Sequence, residues 1–212
     1  MNPHQEQLDS LRDIRNLMER SSRYLPLSGI AGIIIGLVSI ASIAWLYQYL
    51  GLGASPKAYY ELLLAENGSF DAENARFLLV LFGSVFLISL GVEVYLAERN
   101  AKKKGIPAWD ATAKRFLVNL FIPMLAGGLF CLVLASQGQV QLILPATLIF
   151  YGMGLFTASR YTIEDIRYLG IVELVLGLLA SFYPQLGLLF WAIGFGVLHI
   201  IYGIIIYFKY EK

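Results

Sequence analysis

Three residues able to carry charge stand inside apolar stretches of this chain: Glu93, Glu173 and His199. Such a residue in a hydrocarbon layer is a functional-site candidate, because burying its charge costs several kcal/mol. At ~1.5 Å per helical residue, Glu93 lies ~8 Å from the charged boundary at Glu98, Glu173 ~9 Å from Arg167 and His199 ~15 Å from Lys209. Asn119 joins the same layer, and Tyr202, three residues after His199, adds a hydroxyl near the same helix face. Glu173 has Gly170 at i−3 and Gly177 at i+4, and His199 has Gly196 and Gly203 at the same offsets. Small residues on a membrane helix mark where another helix packs closely, so Glu173 and His199 are expected to point into protein.

Three chemistries fit this set. Glu173 and His199 can hydrogen-bond each other or nearby backbone and lock a bundle. They can line a hydrated pocket and exchange protons, since imidazole titrates near neutral pH and burial disfavours a charged carboxylate. One imidazole and two carboxylates can also hold a metal. No HxxxH, HxxE or CxxC spacing supports that last reading, so neither metal nor cofactor is expected. With His4 in the N-terminal tail, only His199 is left for a multi-histidine iron site or a bis-histidine haem. No HExxH, P-loop, GxSxG or Rossmann fingerprint occurs, so no catalytic residue is assigned. The lone Cys131 excludes an intrachain disulfide and reads as a packing residue.

The elements that must hold these residues are six apolar runs, at 27–50, 77–96, 116–135, 140–159, 166–183 and 186–208. Each is long enough to cross a hydrocarbon layer about 30 Å thick as a helix. The chain is 58% hydrophobic and only 15% charged, outside the range of soluble domains. The expected fold is an all-α polytopic membrane bundle of six transmembrane helices in three hairpins. Of the 16 Lys and Arg residues, all but Lys57 and Arg76 fall on one side of these runs. The positive-inside rule then places both termini in the cytoplasm, with the chain in a bacterial inner membrane. The net charge of +1 points to no nucleic-acid partner.

Residues 5–24 place Leu8, Leu11, Ile14, Leu17 and Met18 at helical spacing among Arg12, Arg15, Arg20 and Arg23. We read 1–25 as a cytoplasmic amphipathic helix and 26–212 as one transmembrane domain. That helix would lie on anionic headgroups or dock a protein partner or second protomer. Loop 51–75, with Tyr59 and Tyr60, is expected to lie at the interface on the far side. The second helix is expected to run to Lys104 with Gly105 as its C-cap, and Asp110 to cap the third. A weak repeat, Gly-x-x-[Gly/Glu]-x-x-x-Gly-Leu, begins at Gly29 and again at Gly170. Its glycines Gly29, Gly32, Gly36, Gly170 and Gly177, with Gly196 and Gly203, are the expected helix-packing positions.

The final hairpin, through Gly170, Gly177, Leu178, Leu179, Pro184, Gly194 and Gly203, resembles a repeat of HdeD-like small bacterial membrane proteins. That resemblance implies six spans in hairpins and a link to acid-stress resistance without defined catalysis. Residues 14–24 and 165–170 are similar to an uncharacterised bacterial membrane family, some members of which bear carotene-oxygenase names. Two functions follow as expectations: a non-enzymatic, oligomeric membrane protein with a structural, stress-related or regulatory role, or a small proton-linked transporter using Glu173 and His199 with Glu93 assisting. An enzyme acting on a lipid or isoprenoid is a third.

Overall fold

The computed structural model describes residues 27–49 and 71–212, and within them all regular structure is helical. The proposed amphipathic helix at 5–24 and the interfacial loop through residue 70 lie outside the described residues. Helix α1 spans Gly29–Tyr49, α2 Ala72–Lys104, α3 Ala111–Ser136, α4 Ile143–Ala158 and α5 Asp165–Phe182. The last helix, α6, covers Pro184–Glu211. Five helices are long and apolar enough to cross a membrane, namely α1, α2, α3, α4 with its flanking turns, and α6. The chain is therefore a multi-pass membrane protein. Helix α5 is the exception to the six-run reading: its 18 residues include Asp165, Arg167 and Glu173.

Local chemistry explains where the helices start and stop. Asp71 caps α2 by accepting from the backbone N–H of Glu73 at 2.9 Å and of Asn74 at 3.1 Å. Gly105 ends α2 in the left-handed conformation at φ 65°, where a side chain would be strained. Lys102, Lys103 and Lys104 fill the last turn and complement the helix dipole. Asp110 then caps α3 through the N–H of Ala113 at 2.7 Å. Both expected caps of this loop are present.

Helix α3 contains Pro123, which has no N–H to offer the carbonyl of Asn119. The Thr157 hydroxyl of α4 stands 2.8 Å from that carbonyl, closer than to the Met153 and Gly154 carbonyls of its own helix at 2.9 and 3.1 Å, and can supply the missing donor. A freed backbone group in hydrocarbon is tolerated only when a neighbour satisfies it in this way.

Glycines set the closest helix pairs. A Cβ on Gly152 of α4 would stand 2.6 Å from the Leu174 nitrogen, and one on Gly170 of α5 2.7 Å from the Phe156 nitrogen. A Cβ on Gly203 of α6 would stand 2.6 Å from both the Gly29 oxygen and the Ile33 nitrogen of α1. Helix α5 therefore packs far more extensively on α4 than on α6, its hairpin partner in sequence, while α6 packs on α1. The two copies of the Gly repeat do different jobs. Gly29, Gly32 and Gly36 face α6, whereas Gly170 and Gly177 face α4.

Two larger apolar cores run along the bundle, beside a small third one of Ala113, Phe116 and Ala158. One contains Ile43, Leu46, Val85, Leu148, Leu188 and Trp191, and the other Leu155, Ile163, Ile166, Leu169 and Ile206. Helix α2 leans chiefly on α1, with Phe82 reaching Trp191 edge-on at 4.9 Å. At one end of the bundle, Asp165 accepts from Lys209 at 2.9 Å and from the Tyr210 hydroxyl at 2.7 Å.

Candidate functional site

Glu173 is fully buried and His199 nearly so. They meet where α4, α5 and α6 converge between the two apolar cores. Gly170 and Gly177 bring α5 onto α4, which turns the intervening Glu173 inward toward α6. Its carboxylate lies against Gly194 of α6, where an added Cβ would stand 2.5 Å from Oε2 and 2.6 Å from Leu148 Cδ2. Glycine at 194 is thus what leaves room for the acid.

His199 is held from both ring nitrogens. Nδ1 is 2.9 Å from the Gly194 carbonyl, five residues back on its own helix. A carbonyl only accepts, so Nδ1 carries a hydrogen and donates it. Nε2 is 2.8 Å from the Tyr151 hydroxyl of α4. In the neutral imidazole Nε2 is then the acceptor and Tyr151 the donor. The residues 192–198 leading to His199 are wound as a π-helix, a local departure that recurs at functional sites. Phe195, within that segment, stacks on His199 at 5.7 Å between ring centres and lies tilted against Tyr151 at 4.9 Å. Trp191 extends the aromatic wall, 4.7 Å from Phe195.

The acid and the imidazole are close without being bonded. His199 Nδ1 stands 3.6 Å from Glu173 Oε1, beyond hydrogen-bond range. Among the described residues neither oxygen of Glu173 has a hydrogen-bond partner. A fully buried carboxyl group without a partner is rare in a protein interior and calls for an explanation.

The other polar residues expected in this layer are placed elsewhere. Glu93 of α2 receives the backbone N–H of Ser28 and lies near Glu211. Glu211, from the end of α6, accepts the N–H of Gly29. Two carboxylates from two other helices thus meet orphan N–H groups at the start of α1, where the helix dipole favours negative charge. Glu93 still interacts electrostatically with Tyr151, as does Glu173. The Asn119 side chain donates to its own helix at the Arg115 carbonyl, 2.8 Å away. Tyr202 packs, half-buried, against the core of Leu155, Ile166 and Ile206. Gly196 and Gly203 face α1, while the His199 ring turns the other way toward Gly194 and Tyr151.

Sequence reasoning missed Tyr151 and named Gly194 only for the likeness of the final hairpin, not for the site. Tyr151 carried a signal: it sits mid-run at 140–159, whereas membrane tyrosines favour the headgroup level. Among the described residues no three His, Cys, Asp or Glu side chains converge as a metal ion needs. The arrangement suits proton exchange, with a carboxyl, an imidazole and a phenol in series.

Outside the spans, Asp165 is tied to the end of α6 by Lys209 and Tyr210. Partial burial pushes its carboxyl up, but hydrogen bonds from Tyr210 and Lys209 outweigh that and hold it below the usual range.

No protein-family model matches the chain, and neither a curated protein nor a solved structure matches it. The resemblances noted in the sequence therefore bring no assigned residue to the site.

Proposed function

We infer that this is a proton-linked membrane protein, of the small transporter or permease kind, in which Glu173 is the group that gains and loses the proton. One observation carries the reading: a fully buried carboxyl with no hydrogen-bond partner among the described residues, 3.6 Å from an imidazole. A purely structural lock would be expected to use both partners in a bond, since a half-satisfied buried polar pair is less stable than an apolar one. Here the imidazole is satisfied by other groups and the acid is not. No catalytic role is assigned, and no cofactor is invoked.

The charged ends support an orientation. Lys102, Lys103, Lys104, Lys114, Arg115, Arg160, Arg167 and Lys209 flank the helix ends on one side. By the positive-inside rule that side is cytoplasmic, which puts both termini there and suits a bacterial inner membrane. The wide exposed apolar faces of α2 and α3 are compatible with a homo-oligomer in the bilayer, and residues 5–24 with a membrane or protein contact.

The test is an infrared titration of the protein in lipid vesicles, wild type against Glu173→Gln, with thermal stability measured on the same samples. The expected result is a carboxyl band that appears and disappears with pH in the wild type and is missing in the variant. A wild type without such a band, and a variant altered only in stability, would overturn the proton reading in favour of a structural or regulatory role.

A further inference from the structure

Among the described residues, the hydrogen bonds around His199 link the Glu173 site to a neighbouring helix, α4. Nδ1–H is given to Gly194, and the other nitrogen is bonded to Tyr151. Glu173 itself has no hydrogen-bond partner among the described residues, its nearest donor being His199 Nδ1 at 3.6 Å. His199 is buried, and Tyr151 as a whole residue is half-buried. The titratable groups facing this set are Glu173 on α5, His199 on α6, Tyr151 on α4 and, through Tyr151, Glu93 on α2.

We propose that Glu173 is loaded through Tyr151 and His199, and that loading exchanges the tautomer of the His199 ring. This rests on the proton-binding reading of Glu173. The step balances as follows. Starting from ionised Glu173, Tyr151 gives its hydroxyl proton to Nε2 and regains one from a hydrated proton, the co-reactant. Nδ1 gives up its own proton to Glu173 Oε1. Two O–H bonds, of Tyr151 and the hydrated proton, and the Nδ1–H bond break, while Nε2–H, a new Tyr151 O–H and the Glu173 O–H form. The ring ends neutral, with hydrogen on Nε2 instead of Nδ1, and Glu173 ends as the acid.

The tautomer change has a mechanical consequence. The bare Nδ1 lone pair now faces the Gly194 carbonyl, which cannot donate to it. The new Glu173 O–H can. Closing the 3.6 Å gap to a normal bond takes a shift of roughly 0.7 Å. Loading therefore exchanges a bond from His199 to the π segment for a bond from Glu173 to His199. Gly194 and Gly196 belong to that segment, and Gly196 lies against Ile40 and Gly36 of α1. A proton on Glu173 is in this way communicated to the α1–α6 contact.

The protein has two histidines, so His4→Gln leaves His199 as the sole ring to observe. Nitrogen-15 magnetic resonance of such protein in bilayers reads the two ring nitrogens directly. The expected result is hydrogen on Nδ1 at alkaline pH and on Nε2 once the Glu173 band has appeared. Hydrogen on Nδ1 in both states, or an imidazolium in the loaded state, overturns the tautomer exchange. After a pH jump, Tyr151→Phe should load Glu173 to the same final extent but at least about tenfold more slowly. An unchanged loading rate overturns the route. A merely structural tyrosine would alter stability or amplitude and leave the rate alone. Should Tyr151→Phe fail to fold, the nitrogen spectrum of the protein with Tyr151 intact still decides. If no Glu173 band exists in the wild type, the function reading fails, whatever the ring nitrogens show.

Discussion

Gly203→Ala should separate α1 from α6, and its effect can be worked from the contact itself. The added Cβ would stand 2.6 Å from the Gly29 carbonyl oxygen and 2.6 Å from the Ile33 nitrogen. Both are backbone atoms, so no side chain can swing aside. Ordinary contact begins at about 3.4 Å, so the helices must part by roughly 0.8 Å. Overpacking of this kind costs about 1–3 kcal/mol, and backbone obstruction places it in the upper part of that range. Alanine returns about 1 kcal/mol through helix propensity. The net loss is then about 1–2 kcal/mol, which lowers the melting temperature by roughly 2–8 °C for a chain of this size. Gly91→Ala of α2 is the control, because nothing lies within 4 Å of its Cβ position. It should gain about 0.5–1 kcal/mol from propensity alone. Thermal unfolding of the purified variants in one detergent reads both signs. If Gly203→Ala is neutral or stabilising like Gly91→Ala, the α1–α6 contact is not the one that holds the bundle.

Two further outcomes follow from single hydrogen bonds. Thr157→Val removes the hydroxyl that serves the Asn119 carbonyl freed by Pro123, and should cost about 1–2 kcal/mol. Pro123→Ala restores the N–H within α3, so Thr157→Val made on top of it should be close to neutral; equal costs in both backgrounds would refute the pairing. Asp165→Asn tests the end of the bundle. The folded Asp165 binds its proton more weakly than the unfolded chain does, because Tyr210 and Lys209 hydrogen-bond the charged form. Its contribution to stability is therefore present above the unfolded carboxyl range and lost as pH falls through the lower folded value. Melting curves of wild type and Asp165→Asn should differ at neutral pH and converge in acid, with the difference reduced by salt because Lys209 is exposed. A gap that persists unchanged at low pH would show that Asp165 acts through packing instead.

What could be read before any coordinates was the set of features governed by chain-local physics. The apolar runs marked the membrane helices, since a span must be long and apolar to satisfy its own backbone in lipid. Gly105 and Asp110 could be read as caps because capping depends on residues within one turn. Glu173 and His199 could be singled out because charge in hydrocarbon is costly wherever it falls. These residues determine the class of fold, the ends of α2 and α3, and the two side chains worth testing. Tertiary structure alone decided their partners. Glu93 went to the start of α1 instead of the Glu173 layer, because orphan N–H groups at a helix end attract a carboxylate from whichever helix lies beside it. Asn119 proved to matter through its carbonyl, once Pro123 had removed the matching donor and α4 had brought Thr157 within reach. Tyr151 and Gly194 joined the site because α4 and α6 meet α5 at that depth. Helix periodicity gives each residue a face but not a neighbour: which face meets which is set by the shape of all the helices packed together, and here glycine contacts only a few ångströms wide made that choice.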